Sequence, residues 1–186
     1  MSILTVISIA LGLAMDCFAV SVSIGASDRR IGAKAIIKVA SFFGSFQTGM
    51  TMLGWALGTA FARYIIPIDH WIAFGLLLIV GSKMLFEAFE KKEGEEKADY
   101  SSTRALLILS VATSIDAFAV GVSFSLLNVF ILTPAIIIGA ASFILPVIGG
   151  YAGKKTGELL ENKAEILGGL ILIGIGVKIL LEHILK

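Results

Sequence analysis

"LAMDCFAVSVS", Leu13 to Ser23, sets an aspartate, Asp16, inside an apolar run that extends from about Ile3 to Ile24. A carboxylate at the centre of a bilayer costs roughly +2.5 to +3.5 kcal/mol on insertion-derived scales, so it needs a partner, a cavity or a task. The chain presents the same problem again in "VATSIDAFAVGVS", Val111 to Ser123, where Asp116 stands in nearly identical surroundings. Two matched acids in two matched apolar runs predict a duplicated membrane protein, and the rest of the chain can be read outward from them.

With 57% hydrophobic residues in a chain of 186, there is more apolar surface than a soluble core of this size could bury. The lipid bilayer is therefore the expected surroundings. A formal net charge of +1 gives no electrostatic footprint for nucleic acid. The first apolar run lacks a basic leader and a small-residue cleavage site, so it reads as a spanning helix and not a cleaved signal. Cys17 is the only cysteine and can form no internal disulfide; it reads as a small packing residue.

About twenty apolar residues are needed to cross some 30 Å of hydrocarbon. Six windows meet that length: Ile3 to Ile24, Ala35 to Phe61, Trp71 to Phe89, Ala105 to Leu127, Thr133 to Gly153 and Ala164 to Ile184. The expected fold is an all-α polytopic membrane protein, with six transmembrane helices arranged as two inverted three-helix repeats. Residues 1–90 form the first repeat, 91–104 a charged cytoplasmic linker within "EKKEGEEKADYSSTR", and 105–186 the second, inverted repeat. Lysine and arginine fall unevenly across the alternating connections. Arg29, Arg30, Lys34, Lys91, Lys92, Lys97, Arg104, Lys154, Lys155 and Lys163 lie on one side, against Arg63 and Lys186 on the other. The positive-inside rule then places the loops after helices 1, 3 and 5 in the cytoplasm and both termini outside.

The two halves align locally. At an offset of 100, Asp16, Phe18, Ala19, Val20, Val22 and Ser23 match Asp116, Phe118, Ala119, Val120, Val122 and Ser123. Beyond the first connection the offset becomes 95, pairing Gly44 with Gly139, Gly54 with Gly149, Gly58 with Gly153, Gly81 with Gly176, Lys83 with Lys178 and Glu87 with Glu182. An odd number of spans per half makes the second copy enter the membrane from the other side, so the repeats are expected to be antiparallel about an axis in the membrane plane. That axis would carry Asp16 onto Asp116 near the midplane. The shared Gly54/Gly58 and Gly149/Gly153 pairs predict close helix contacts.

Two carboxylates held close in a water-poor cavity share a proton or hold a cation. Hard divalent ions such as Mn²⁺ take oxygen ligands, and this chain offers Asp16, Asp116 and the Gln47 amide as the candidate metal site. Ser23, Thr113, Ser114, Ser123 and Ser142 are candidates for lining the pathway, and Ser142 aligns with Gln47. Pro146 removes the hydrogen bond to the Ser142 carbonyl, which gives either a kink or a cavity-facing oxygen. Against these readings stand blander ones: interhelical hydrogen bonding for Gln47, and hydroxyls bonded back to their own helix for the serines and threonines. Lys83–Glu87 and Lys178–Glu182 suit neutralising pairs on one helix face, His70 and His183 suit interfacial positions, and Trp71 suits an aromatic belt.

The combination of "MDCFAVS", "SIDAFAVGVS", "HWIAFGLLLIVGSKML" and "KAEILGGLILIGIGVKIL" resembles the MntP family of manganese efflux pumps, six-span bacterial membrane proteins related to the lysine-exporter group. The resemblance implies export of manganese across the bacterial cell membrane, with Mn²⁺ as transported substrate and no resident cofactor. It maps the family's aspartates onto Asp16 and Asp116 and its polar second-span position onto Gln47. This sequence departs from the family at Thr51, where relatives often carry proline. Other readings are an exporter of another metal or an amino acid, an intramembrane aspartyl protease and a non-transporting scaffold. The protease reading lacks its motif, because Leu13-Ala14-Met15-Asp16 and Ser114-Ile115-Asp116 replace the Gly-x-Gly-Asp and Tyr-Asp that such enzymes carry. A bundle this thin also suits a homodimer.

Overall fold

The computed structural model describes residues 1–27, 31–61 and 103–156, together with single helical residues at 74, 75, 78, 79, 82, 85, 86, 166, 170, 173, 174, 177 and 181. Most of the expected third and sixth spans and of the central linker lie outside the described residues. So do Lys83, Glu87, Lys178, Glu182, His70, His183 and Trp71.

Four helices are defined: α1 (Ile3–Ser27), α2 (Ala33–Phe61), α3 (Thr103–Leu126) and α4 (Leu132–Thr156). Their ends follow from local chemistry. Ser2 caps α1, its Oγ accepting the Thr5 amide at 3.2 Å. Gly32 opens α2, its carbonyl accepting the Ala35 and Ile36 amides. α3 closes in a Schellman arrangement: Val129 N donates to Phe124 O at 2.9 Å and Asn128 N to Ser125 O at 3.0 Å. Asn128 takes the left-handed conformation this needs, at φ 55°, which asparagine tolerates better than most residues. Pro134 falls in the first turn of α4, where its missing N–H costs nothing. Pro146 does not interrupt α4, which runs on to Thr156.

Among the described residues, three stretches are long and apolar enough to cross a membrane: Ile3–Ala26, Leu106–Leu126 and Leu132–Lys155. The protein is an α-helical membrane protein. The expected second span forms the longest helix described, 29 residues, yet it is less apolar than the others. The reason lies in its own sequence: Lys34 and Lys38 near the start, then Ser41, Ser45, Gln47, Thr48 and Thr51.

The helices pack in crossed pairs: α1 with α4, α2 with α3, and α2 with α4. α1 and α4 run parallel, since Phe18, Val22 and Gly25 of α1 meet Gly149, Gly153 and Gly150 of α4. α2 and α3 are also parallel, with Gly54 on Phe118 and Gly58 on Val122 and Ser125. α1 and α3 run antiparallel: Ile9 and Ala10 share a buried cluster with Phe124, whereas Ile24 and Cys17 share one with Leu106. α2 and α4 cross antiparallel where Gly44 faces Gly139. Lys34, Lys38, Arg104, Lys154 and Lys155, the only basic residues among those described, gather at one end of this bundle.

Several of these contacts are possible only without side chains. A methyl group built on Gly54 would overlap the Phe118 carbonyl, one on Gly153 the Val22 carbonyl, and one on Gly149 would lie 2.7 Å from the Phe18 carbonyl. Small residues thus let backbones touch, as packing in lipid favours.

Candidate functional site

The level at which α1, α2 and α3 meet is built around one amide. Gln47 of α2 is fully buried, and its Nε2 donates to the Thr113 carbonyl of α3 at 3.0 Å and to the Cys17 sulfur of α1 at 3.4 Å. One side chain therefore joins three helices. Asp16 immediately precedes Cys17, and Asp116 follows Thr113 by one helical turn. Both carboxyl-bearing residues are buried, with 8% of Asp16 and 3% of Asp116 exposed. Each has an interaction partner.

The remaining expected lining residues divide by what their hydroxyls do. Thr113 Oγ1 donates to the Leu109 carbonyl at 3.0 Å, Ser114 Oγ to Val111 O at 3.1 Å and Ser123 Oγ to Ala119 O at 3.0 Å. Those donors are committed to their own helix, the common fate of membrane hydroxyls, and only their lone pairs remain to offer. Ser23 is half-buried on α1. Ser142, the alignment partner of Gln47, is different: it is fully buried and its Oγ has no hydrogen-bond partner. Gln47 Oε1 is equally buried and equally unpartnered. Two aligned positions, one on α2 and one on α4, thus each hold an unsatisfied oxygen in the interior of the helix bundle, where such an atom costs about 1–3 kcal/mol.

Two residues do more in the structure than the sequence shows. Cys17 is more than a packing residue: its sulfur accepts from Gln47 and has Thr113 and Ser142 as neighbours. Its adjacency to Asp16 was the available signal. Ser21 donates to the Pro146 carbonyl at 2.6 Å, tying α1 to α4. The repeat alignment sets Ser21 opposite Gly121, a polar departure visible in the sequence. The Pro146 signal itself appears in a different form, since the orphan beside it is the Ser142 hydroxyl and the helix stays continuous.

Among the described residues no three His, Cys, Asp or Glu side chains come together as a metal cluster. Two aspartates in such surroundings would have to complete a divalent ion's shell with neutral oxygens, and Gln47 Oε1 and Ser142 Oγ are of that kind. Apart from this level, an open groove of about 510 Å³ runs along α2 and α4, lined by Ser41, Gly44, Ser45, Thr48, Gly139 and Phe143.

Comparison with known proteins gives this site a context. The family model described as "Putative manganese efflux pump" matches residues 30–180. A protein of Methanospirillum hungatei described as "Putative manganese efflux pump MntP" is 50% identical over 182 residues, covering 98% of this chain and 95% of its own length. Proteins of the same description from Clostridium perfringens and Clostridium botulinum are 47% and 45% identical, each covering 98% of this chain and 96% of its own length. No solved structure matches the chain. A match of this extent, over helices that carry both aspartates, assigns the chain to a transporter family and not to an enzyme family: it belongs to the MntP family.

Proposed function

We propose that the protein exports Mn²⁺ from the cytoplasm across the cell membrane, by alternating access around a site made of Asp16, Asp116 and Gln47. The carrying observation is the pair of buried, unpartnered oxygens, Gln47 Oε1 and Ser142 Oγ, at aligned positions beside residues adjoining the two aspartates. A dehydrated divalent cation wants several oxygens and at least one negative charge, and it offsets the burial of both. The names of the relatives supply the metal and the direction.

The architecture proposed for this cycle is six spans in two inverted three-helix repeats, 1–90 and 105–186, joined by the charged segment 91–104. Its support is the reciprocity of the contacts. Gly54 lies on Phe118 as Gly149 lies on Phe18, and Gly58 on Val122 as Gly153 on Val22. Gly44 faces Gly139, its own alignment partner, which is the relation expected of residues beside a two-fold axis. The antiparallel course of α1 and α3 agrees with it. Rocking of one repeat against the other would expose the aspartate level to each side in turn. The basic end of the bundle faces the cytoplasm in this reading, with the loops after helices 1, 3 and 5 on that side and both termini outside. Ser23, Thr113, Ser114, Ser123 and Ser142 line the route.

The test is metal flux by the purified protein in liposomes containing a Mn²⁺-sensitive dye, with Zn²⁺, Cd²⁺, Mg²⁺ and lysine as competitors. Mn²⁺ flux that is lost in Asp16→Asn and is not inhibited by lysine supports the proposal. Flux unchanged in Asp16→Asn overturns the site, and flux carried by lysine in place of metal overturns the cargo.

A further inference from the structure

The Gln47 amide is held in one orientation by its two acceptors. The Thr113 carbonyl has no proton to give, so the amide nitrogen, and not the oxygen, must face it, at 3.0 Å. The second N–H of the same nitrogen is directed to the Cys17 sulfur at 3.4 Å. With both protons placed, Oε1 is left as the amide's only free polar atom, buried and unpartnered. A glutamine's terminal torsion is intrinsically broad, so this definition comes from the two acceptors.

We propose that Cys17 is a positioning residue for the transport site: its sulfur, by accepting the second Gln47 proton, holds the amide so that it presents oxygen to the transported cation. This deepens the exporter reading above and rests on it. If the sulfur is removed, the second N–H loses its acceptor inside the bundle, and the amide gains by turning toward another oxygen. Ser142 Oγ, unpartnered and also a neighbour of Cys17, is one such oxygen. Turning moves Oε1 from the position it holds and weakens cation binding without removing a charge. The same logic explains an amide in place of a carboxylate at position 47, since an ionised glutamate would set an oxygen against the Thr113 carbonyl with no proton between them.

The experiment is the concentration dependence of Mn²⁺ flux in liposomes for the full chain and for Cys17→Ser, Cys17→Val and Cys17→Ala. Serine keeps an acceptor; valine keeps the volume but not the acceptor; alanine is the alternative should valine fail to fold. Cys17→Val or Cys17→Ala is expected to raise KM for Mn²⁺ about fivefold, the scale of one lost hydrogen bond, with kcat and thermal midpoint little changed. Cys17→Ser is expected to stay within about twofold of the parent, since its acceptor is retained. In a Gln47→Leu background, Cys17→Val should add nothing. The inference is overturned by a parental KM in the valine and alanine variants, by a serine variant as impaired as valine, or by additive effects with Gln47→Leu. It is equally overturned if all three variants keep the Mn²⁺ KM and lose only Cd²⁺ flux, which would make the sulfur a ligand. Asp16→Asn in the same assay separates the two levels: full activity there removes the exporter site, whereas an inactive Asp16→Asn beside an unaltered Cys17→Val removes only the role of Cys17.

Discussion

α1 against α4 and α2 against α3 make matching glycine contacts, and they differ in how the polar groups are handled. On the α1–α4 side, Ser21 reaches across to the Pro146 carbonyl. On the α2–α3 side, the aligned residue is Gly121, which lies directly on the Thr51 carbonyl with no room for a side chain. Thr51, unlike Pro146, also bonds its own helix, its Oγ1 donating to the Gln47 carbonyl at 2.7 Å. One level deeper the asymmetry reverses. Gln47 donates to α1 and α3, whereas the Oγ of its counterpart Ser142 lies beside Cys17 without a hydrogen-bond partner. The difference teaches that matching glycines give the two contacts the same backbone packing, while the polar groups at matching positions are handled differently.

The largest expected effect tests whether that asymmetry extends to the acids. Asp16→Asn and Asp116→Asn are each expected to lower Mn²⁺ flux by about 100-fold while the protein remains folded, because the amide keeps the volume and removes the charge. Flux assays with the two variants side by side decide it. Equal losses place the halves on the same footing at the acid level; a large loss in only one would extend the asymmetry to the charges themselves.

Next in size are the glycine contacts. Gly54→Ala forces a methyl group onto the Phe118 carbonyl and is expected to cost about 2–3 kcal/mol, whereas Gly149→Ala, at the looser copy of the contact, costs about 1–2 kcal/mol. Gly49 of α2, with nothing within 4 Å of a built methyl group, is the control. Gly49→Ala should stabilise by up to about 1 kcal/mol through helix propensity. Thermal unfolding in detergent reads all three, and equal costs at Gly54 and Gly149 would mean that the two copies are equally tight.

These contacts also mark how far the sequence could be read. Spacing alone placed the four helices to within about one turn, because apolar length and glycine or proline boundaries are local properties. The aligned glycines were legible as packing residues because repetition is a signal that chance seldom gives. Burial of the aspartates followed from their position within apolar runs. What could not be read was the chemistry between helices. Cys17 looked like filler because a thiol's acceptor role depends on an amide from a helix 30 residues away. Ser142 stood out by its alignment with Gln47 and Ser21 did not, and only the fold shows Ser21 bonded to Pro146 and the Ser142 hydroxyl without a hydrogen-bond partner. The polar character of α2 was present in its residues but was outweighed, in a count of apolar length, by the phenylalanines and leucines around them.

A smaller effect is expected where Ser21 bridges the helices. Ser21→Ala removes one interhelical hydrogen bond and should cost about 1 kcal/mol, in the range measured for such bonds in membranes. The reciprocal change, Gly121→Ser, cannot create a matching bond, because any Cβ there meets the Thr51 backbone first; it should destabilise. If Gly121→Ser were neutral, the α2–α3 contact would be looser than its glycine implies.

The smallest effects belong to the two ends of the bundle, which repeat the comparison at the turns. Trp55 Nε1 of α2 donates to the Val129 carbonyl in the α3–α4 turn at 2.9 Å. At the opposite end, Lys154 Nζ of α4 donates to the Ile31 carbonyl between α1 and α2, beside the Tyr151 ring. Each strut ties a helix of one consecutive pair, α1–α2 or α3–α4, to the turn of the other pair, one with a neutral donor and one with a charged donor. Charge-assisted bonds are roughly twice as strong, so Lys154→Met should cost about 1 kcal/mol and Trp55→Phe about 0.6 kcal/mol. Hydrogen exchange shows where each loss is felt: faster exchange around Asn128 and Val129 in Trp55→Phe, and around Ile31 to Ala35 in Lys154→Met. Local responses mean that each end can open while the other stays closed, as alternating access requires. If either variant loosened both ends together, the struts would belong to one cooperative unit, and the two ends could not act as separate gates.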